Sequence, residues 1–391
     1  MQAVISSAVR TPIGGFQGAF AKVKASKLGA AAVGEAVKRA GIGGGNVDVV
    51  FMGNVLSAGM GQAPARQAAI YAGLPDSVSA VTLNKMCGSG MEAIVQAARA
   101  VVLGEASVAV AGGMESMSMA PYLLPDARSG LRLGNKTLVD HMVFDGLWDA
   151  YEDKHMGSCA ELCASKYELS REAQDEFAVR SYRRAQAATR DGRFAAEIVP
   201  VEVAGRRGKV TVVTEDEGPE LVDFERIAEL KPAFESEGTV TAANASTIND
   251  GAAALIVTSE AEAQRRGMPV LARISGYAAN AQEPAWFTTA PVGAMRRLFD
   301  KLDWTPESVD LFEINEAFAA VTMAAMSEFD LPPEKVNVLG GAVALGHPIG
   351  ASGARIVVTL LNALKQEGKR RGLAAICIGG GEALAMGLEL P

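Results

Sequence analysis

The sequence predicts an α/β protein made of two related halves, with a long insertion carried by the first. Three observations point there. Short motifs recur in the same order: residues 47–54 are echoed by 309–316, Ser89-Gly90 by Ser352-Gly353, and Gly112-Gly113-Met114-Glu115 by Gly379-Gly380-Gly381-Glu382, at offsets of 262, 263 and 267 positions. Each half alternates short strand-like apolar runs with helix-length apolar stretches, the pattern of a largely parallel sheet covered by helices. The region from about Met114 to Val240 has no counterpart in the second half.

Taken in order, the first half reads as strands over 3–8, 47–52, 80–84 and 107–112, with helices over 27–40, 64–72 and 88–103 between them. Ser26 is placed to cap the first helix and Gly41 to stop it. The insertion is rich in turns and charge and holds one long helix, about 171–191, with Ser170 as its cap and Gly192 behind it. It is placed to fold over a site between the halves. Residues 255–258 read as a strand returning to the first half. The second half repeats the pattern, with strands near 271–278, 309–314 and 373–378 and helices near 292–302, 317–329 and 350–369. The apolar stretch 373–390 is broken by Gly379-Gly380-Gly381 and Glu382, so it reads as two buried strands and a turn rather than a membrane span.

At 391 residues, 49% apolar and 21% charged, the chain has enough material for two sizeable cores. A net charge of -8 argues against nucleic acid as the main partner, which needs a basic face. Four scattered cysteines, Cys87, Cys159, Cys163 and Cys377, are too few for a disulfide framework and suit a reducing cytoplasm. The first residues enter a strand-like run with no basic and apolar leader pattern, so a cytoplasmic location is the expectation.

Chemistry concentrates at the strand–helix junctions. Cys87 lies in Asn84-Lys85-Met86-Cys87-Gly88-Ser89-Gly90, where the positive end of the following helix favours thiolate. The alternative is a small core cysteine. His347, one of three histidines, sits in the Gly- and Pro-rich loop Gly346-His347-Pro348, a poor place for core packing and a good one for a general base. Cys377 runs into Gly379-Gly380-Gly381, whose N–H groups could stabilise an oxyanion while the thiol relays protons; core packing is again the alternative. Asn315, between a strand and a helix, reads as an N-cap or as an amide that orients a water. His155, Cys159 and Cys163 fall on one helical face with metal-ligand spacing, but no CxxC or second histidine pair supports a metal, and packed cysteines are the better reading.

Six ordered motifs together resemble the thiolases, and among them the biosynthetic acetoacetyl-CoA thiolases. They are Arg10-Thr11-Pro12-Ile13-Gly14 with 84–91, His155-Met156-Gly157, Asn244-Ala245-Ser246 with Asn249-Asp250-Gly251, Asn315-Glu316-Ala317-Phe318, Gly346-His347-Pro348 and Cys377-Ile378-Gly379-Gly380-Gly381. The resemblance implies the thiolase fold, two similar α/β halves in a layered αβαβα arrangement with an inserted loop domain. Its boundaries would be 1–119 plus 246–270 for the first half, 120–245 for the insertion and 271–391 for the second half.

On matching positions the resemblance makes Cys87 the nucleophile, His347 its base, and Cys377 the acid and base toward the second substrate. His347 together with a water held by Asn315 would bind one thioester oxygen, and the N–H groups of Cys87 and Gly379 the other. Coenzyme A would lie against Leu147, His155, Met156, Arg226, Ala233, Phe234, Ala242, Ser246, Ala317 and Phe318, with Phe287 lining a short acyl pocket. The partners implied are acetyl-CoA, acetoacetyl-CoA and CoA. No cofactor is needed for the chemistry. A potassium ion is implied at Tyr182, Ala242, Ala243, Ala245 and Val343, and the assembly implied is a homotetramer, a dimer of dimers. The rival readings are a degradative 3-ketoacyl-CoA thiolase of broader chain length, a β-ketoacyl synthase, which usually has a second histidine where Asn315 stands, and a non-catalytic CoA- or lipid-binding relative.

Overall fold

The computed structural model describes residues 2–205 and 208–391; Met1, at the start of the first half, and Arg206 and Arg207, in the insertion, lie outside the described residues. The first half runs β1 (Ala3–Arg10), α1 (Ala25–Arg39), β2 (Val49–Gly53), α2 (Pro64–Tyr71), β3 (Ser79–Leu83), α3 (Ser89–Leu103) and β4 (Val108–Ser116). The insertion holds α4 (Met156–Lys166) and α5 (Arg171–Arg190). Then come β5 (Asn249–Ser259), α6 (Glu260–Arg266), β6 (Ala272–Ala281), α7 (Ala290–Leu302), β7 (Leu311–Ile314), α8 (Ala319–Glu328), α9 (Ile349–Gln366), β8 (Arg371–Ile378) and β9 (Glu382–Glu389).

These strands join in the order β7-β8-β9-β6-β1-β5-β4-β2-β3. The order β1-β5-β4-β2 in the first half is repeated as β6-β9-β8-β7 in the second, so the sequence duplication is a duplication of topology. The halves meet where β1 and β6 pair antiparallel, Val4 opposite Arg273 and Ile5 opposite Ala272. The counterpart of β3 in the second half has shrunk to one bridge between Phe312 and Val336.

The expected largely parallel sheet is instead mixed. Among the described strand pairs, β2–β3, β2–β4 and β7–β8 alone are parallel. The reason is visible at the end of the chain: β8 turns directly into β9 through Gly379, Gly380 and Gly381, with no helical crossover, so β9 must run antiparallel. The returning strand β5 is also longer than its sequence signal, extending to eleven fully buried residues paired with both β1 and β4.

Helices α3 and α9 form a middle layer between the sheets of the two halves, with α9 touching β4 and β5 on one side and β7 and β8 on the other. Their close approach explains the repeated Ser-Gly pair. A Cβ on Gly90 would lie 2.7 Å from the Ala354 nitrogen, and one on Gly353 would lie 2.6 Å from the Met91 nitrogen. Helices α1 and α2 cover the outer face of the first half, and α7 that of the second, completing five layers. Gly41 does end α1, with φ +72, but Ser26 does not cap it: α1 begins at Ala25, and the Ser26 hydroxyl donates to Gln67 Oε1 at 3.1 Å. Ser170 caps α5 as the sequence predicts, accepting from the Ala173 N–H.

The insertion leaves the sheet after Ser116 and returns at Asn249. A buried ion network fastens it to both halves. Arg10 of β1 donates through Nε to Glu197 at 2.5 Å and through its two terminal nitrogens to Asp216 at 2.7 and 2.8 Å, while Thr359 of α9 donates to Glu197 at 3.0 Å. Each charge is paired, which is the condition for burying it. Among the described residues no helix is long and apolar enough to cross a membrane.

Candidate active site

A cavity of about 270 Å³ opens between the two halves and under the insertion, and Cys87, His347 and Gly379 all line it. Cys87 reaches it from a hard turn between β3 and α3. The Lys85 N–H donates to Ser89 Oγ at 2.8 Å, the Ser89 hydroxyl donates to the Met86 carbonyl at 2.6 Å, and Met86 is held at φ +45, a conformation that non-glycine residues adopt at a cost. The turn presents a half-buried thiol at the start of α3. The expected thiolate does not follow. Burial pushes the Cys87 pKa up to about 11 and the charge of Glu115 adds to it, against the opposing pull of the Gly379 and Cys87 N–H groups.

His347 is buried, and its orientation can be read from its neighbours. Ser352 Oγ donates to the Pro348 carbonyl at 3.0 Å and lies 2.6 Å from His347 Nδ1. With its hydrogen committed, the Ser352 oxygen accepts from Nδ1–H, which assigns the lone pair to Nε2. Among the described residues Nε2 has no partner. Burial, and secondly the charge of Arg355, push the imidazole pKa down to about 3, so it is neutral. The main chain is fixed as well, by the His347 N–H donating to Asn249 Oδ1 at 2.9 Å. Ser352 and Asn249 were not identified from sequence as supports for His347. The only available signal was the spacing of Ser352, five residues beyond the histidine across a Pro-Ile-Gly turn.

Asn315 is fully buried, and among the described residues neither its amide oxygen nor its amide nitrogen has a partner. It is not the helix cap: α8 starts four residues later, at Ala319, with Phe318 in the cap position. Leaving both atoms of a buried amide unpaired is costly, and it is typical of groups reserved for a water or ligand. Cys377 does not line the cavity: it is fully buried, clustered with Met156, Phe287, Ala317 and Phe318, which do. Burial pushes its pKa well above the ordinary thiol value, and the charge of Cys87 is the next cause. Beyond it the chain turns through Gly380 and Gly381 at φ +85 and +86; a side chain on Gly381 would collide with the Gln282 carbonyl at 2.4 Å.

Of the ten expected coenzyme A contacts, Leu147, His155, Met156, Phe234, Ser246, Ala317 and Phe318 line the cavity, and so does Phe287. Arg226, Ala233 and Ala242 do not; all three are exposed. The cavity is also lined by Met117, Gly146, Thr247, Ile248 and Ile349, which carried no signal in the sequence because apolar and small residues look the same in a core. His155 stacks on Phe234, ring centroids 4.7 Å apart, and its Nδ1 accepts from the Gly157 N–H at 3.0 Å, which leaves the hydrogen on Nε2. Cys159 and Cys163 are buried, with the Cys163 thiol toward the Ala320 carbonyl. Among the described residues no group of three His, Cys, Asp or Glu is arranged to hold a metal.

Of the positions implied for potassium, Ala245 lines the cavity, Tyr182, Ala243 and Val343 are buried, and Ala242 is exposed. The Val343 N–H donates to the buried Glu316 carboxylate at 3.1 Å, which also takes the Ser181 hydroxyl at 2.7 Å. Burial and then Glu316 push the Tyr182 hydroxyl up to about 12.

A duplicated, five-layered fold with one cysteine on the first half's turn and a histidine and second cysteine from the other half defines a thiolase. The chain belongs to that family: residues 3–261 match the family model "Thiolase, N-terminal domain" and residues 268–390 match "Thiolase, C-terminal domain". It is 51% identical over 386 residues to an acetyl-CoA acetyltransferase of Pseudomonas aeruginosa, covering 98% of each chain. The structure is similar to that of the Bacillus anthracis acetyl-CoA acetyltransferase, with a TM-score of 0.97 and 44% identity over 100% of this chain and 99% of the other. It is also similar to a thiolase from Ascaris suum in complex with coenzyme A, with a TM-score of 0.95 and 44% identity over the whole of both chains.

Proposed function

We propose that the chain is an acetyl-CoA C-acetyltransferase, catalysing the reversible Claisen condensation of two acetyl-CoA to acetoacetyl-CoA and CoA. The observation that carries this reading is the shared cavity of Cys87, the neutral His347 with its free Nε2, and Gly379. In the resting site both partners are uncharged, a thiol raised by burial and an imidazole lowered by it. Proton transfer to Nε2 therefore accompanies attack of the Cys87 sulfur on the acetyl carbon, and the N–H groups of Cys87 and Gly379 receive the thioester oxygen. CoA leaves with the proton of the Cys377 thiol, and Cys377 remains as a thiolate. A second acetyl-CoA then places its carbonyl oxygen toward His347 and a water held by Asn315, whose unpaired amide supports this role. The Cys377 thiolate removes the α-proton, the carbanion attacks acetyl-Cys87, and the carbon–sulfur bond breaks, the Cys87 sulfur taking back the proton held on His347 as acetoacetyl-CoA is released.

Phe287, buried against a cavity of about 270 Å³, favours a short acyl chain over the broader range of a degradative 3-ketoacyl-CoA thiolase. A non-catalytic CoA-binding role would not need Cys87, Asn315, His347 and Cys377 together. The inserted loop domain, residues 120–245, serves with 1–119, 246–270 and 271–391 as the unit that takes CoA; we assign its contacts to the residues implied above, including exposed Arg226, Ala233 and Ala242 at the outer end. A potassium ion fits Tyr182, Ala242, Ala243, Ala245 and Val343: Glu316 holds the Val343 N–H, and among the described residues the Ala242 and Ala243 carbonyls accept no hydrogen bond. A bound potassium ion would add positive charge beside the CoA site. The protein works in the cytoplasm as a dimer of dimers. Support for the assembly is the free edge of β3 with Val81 exposed, and exposed Tyr122, Leu131, Leu133 and Leu138 on the insertion.

The test is a rapid-quench reaction of the chain with acetyl-CoA. One CoA released per chain, with acetyl found on the Cys87 peptide, is expected; turnover that survives Cys87→Ala would defeat the mechanism. A series of 3-ketoacyl-CoA lengths separates the short-chain from the degradative reading, and replacing potassium by choline tests the ion through CoA affinity.

A further inference from the structure

Phe234 reaches the cavity from residues 231–240, a strap with neither helix nor strand of its own. Something must hold it in place, because a free segment of that length loses its order readily. The fastening is Glu161, in the second turn of α4. Its carboxylate accepts from the Thr239 N–H at 2.9 and 3.0 Å, from the Thr239 hydroxyl at 2.9 Å and from the Val240 N–H at 2.8 Å. The fit is close enough to dictate the neighbouring residue: a Cβ on Gly238 would lie 2.2 Å from Glu161 Oε1. The strap then closes on itself through the Ala233 N–H and Val240 carbonyl at 2.9 Å, one residue from Phe234.

So secured, the Phe234 ring stacks on His155, meets Phe318 edge to face at 6.1 Å and covers Gly157, where a Cβ would come within 2.2 Å of it. One helix therefore sets both members of the stacked pair, His155 at its N-cap and Phe234 through the carboxylate one turn and a half further on. We propose that Glu161 is a positioning residue for coenzyme A: its clasp on Thr239 and Val240 holds Phe234 as a wall for the pantetheine arm and takes no part in the acyl chemistry at Cys87. The proposal rests on the acetyl-transfer reading above.

Removing the carboxylate releases two backbone N–H groups to water and leaves Phe234 to be ordered anew at each binding event, a loss that falls on affinity. The experiment compares acetylation of Cys87 by acetyl-CoA and by the acetyl thioester of N-acetylcysteamine, which keeps the reacting group and lacks the nucleotide and most of the arm. For Glu161→Ala the expected result is a KM for acetyl-CoA raised about tenfold or more, kcat within about twofold, and an unchanged rate with the truncated thioester; Glu161→Gln, which keeps one acceptor oxygen, falls between. Equal losses with both thioesters, or an unchanged KM for acetyl-CoA, would overturn the proposal. If the unaltered chain takes acetyl from neither thioester, the acetyl-transfer reading fails, and calorimetry with CoA decides the clasp: a Kd raised about tenfold by Glu161→Ala supports it and an unchanged Kd overturns it.

Discussion

His347 Nδ1 lies 2.6 Å from the hydroxyl oxygen of Ser352, which itself donates to the Pro348 carbonyl, so a serine on the first turn of α9 selects the tautomer of the histidine. Replacing it removes the only side-chain partner of the ring among the described residues and lets Nδ1 and Nε2 exchange roles. In Ser352→Ala we expect kcat for acetoacetyl-CoA thiolysis to fall about 10- to 100-fold with KM nearly unchanged, the range found when the partner that orients a metal-ligating imidazole is removed. A loss confined to KM would show that Ser352 serves binding instead.

The Cys87 thiol provides the second prediction. With a pKa pushed up to about 11, its thiolate fraction is small at neutral pH and rises about tenfold per pH unit well below that value. Alkylation of the free enzyme by iodoacetamide, followed at the Cys87 peptide, is expected to accelerate steadily from pH 7 to pH 9 with no plateau. A plateau near pH 8 would mean a resting thiolate and would require a stronger cationic partner than the neutral His347.

What the sequence could and could not say divides along physical lines. Strand and helix alternation, the duplication and the catalytic motifs were legible because they are local. Ser170 and Gly192 marked the ends of α5 correctly, since capping is decided within a few residues. Ser26 failed because Gln67, forty-one positions away, offered its hydroxyl a better partner. Sheet direction failed because it depends on which strands become neighbours: the turn through Gly379, Gly380 and Gly381 was legible, but the antiparallel pairing of β1 with β5 and with β6 joins strands more than 240 residues apart. The sign of the Cys87 shift failed for the same kind of reason: the helix end is visible in sequence, whereas the burial that outweighs it is a property of the assembled halves.

Glu115, at the end of β4, is fully buried and accepts from Asn54 Nδ2 and from the N–H groups of Val55, Leu56 and Gly350, joining the first half to the start of α9. Burial raises its pKa from 4.5 to about 7 despite those donors. Below pH 4.5 the group is neutral in both folded and unfolded chains. Between pH 4.5 and 7 only the unfolded chain ionises it, and above pH 7 the folded chain carries the buried charge in full. Its contribution to stability therefore falls as pH rises through that window, by about 3 kcal/mol in all. Glu115→Gln cannot ionise, so the stability of the wild type relative to this variant, from denaturant midpoints, is expected to decline between pH 5 and pH 8. A constant or growing difference would refute the shift.

The last prediction concerns the two turns that face each other across the site. Lys85 precedes Cys87 by two residues, Glu382 follows Gly379 by three, and their side chains form an ion pair between the first half and the second. Both are partly exposed, so the pair is worth about 1 kcal/mol or less to folding. Its leverage is on geometry: the N–H groups assigned to the thioester oxygen belong to Cys87 and Gly379, and displacements well under an ångström matter there. Reversing one charge, as in Lys85→Glu or Glu382→Lys, puts like charges on the two turns and is expected to lower kcat about 5- to 10-fold with little change in Tm. The exchange of both, Lys85→Glu with Glu382→Lys, rebuilds the attraction and should return kcat to within about twofold of the wild type. If the double variant is as slow as the worse single one, the pair does not align the turns and the losses belong to the individual side chains.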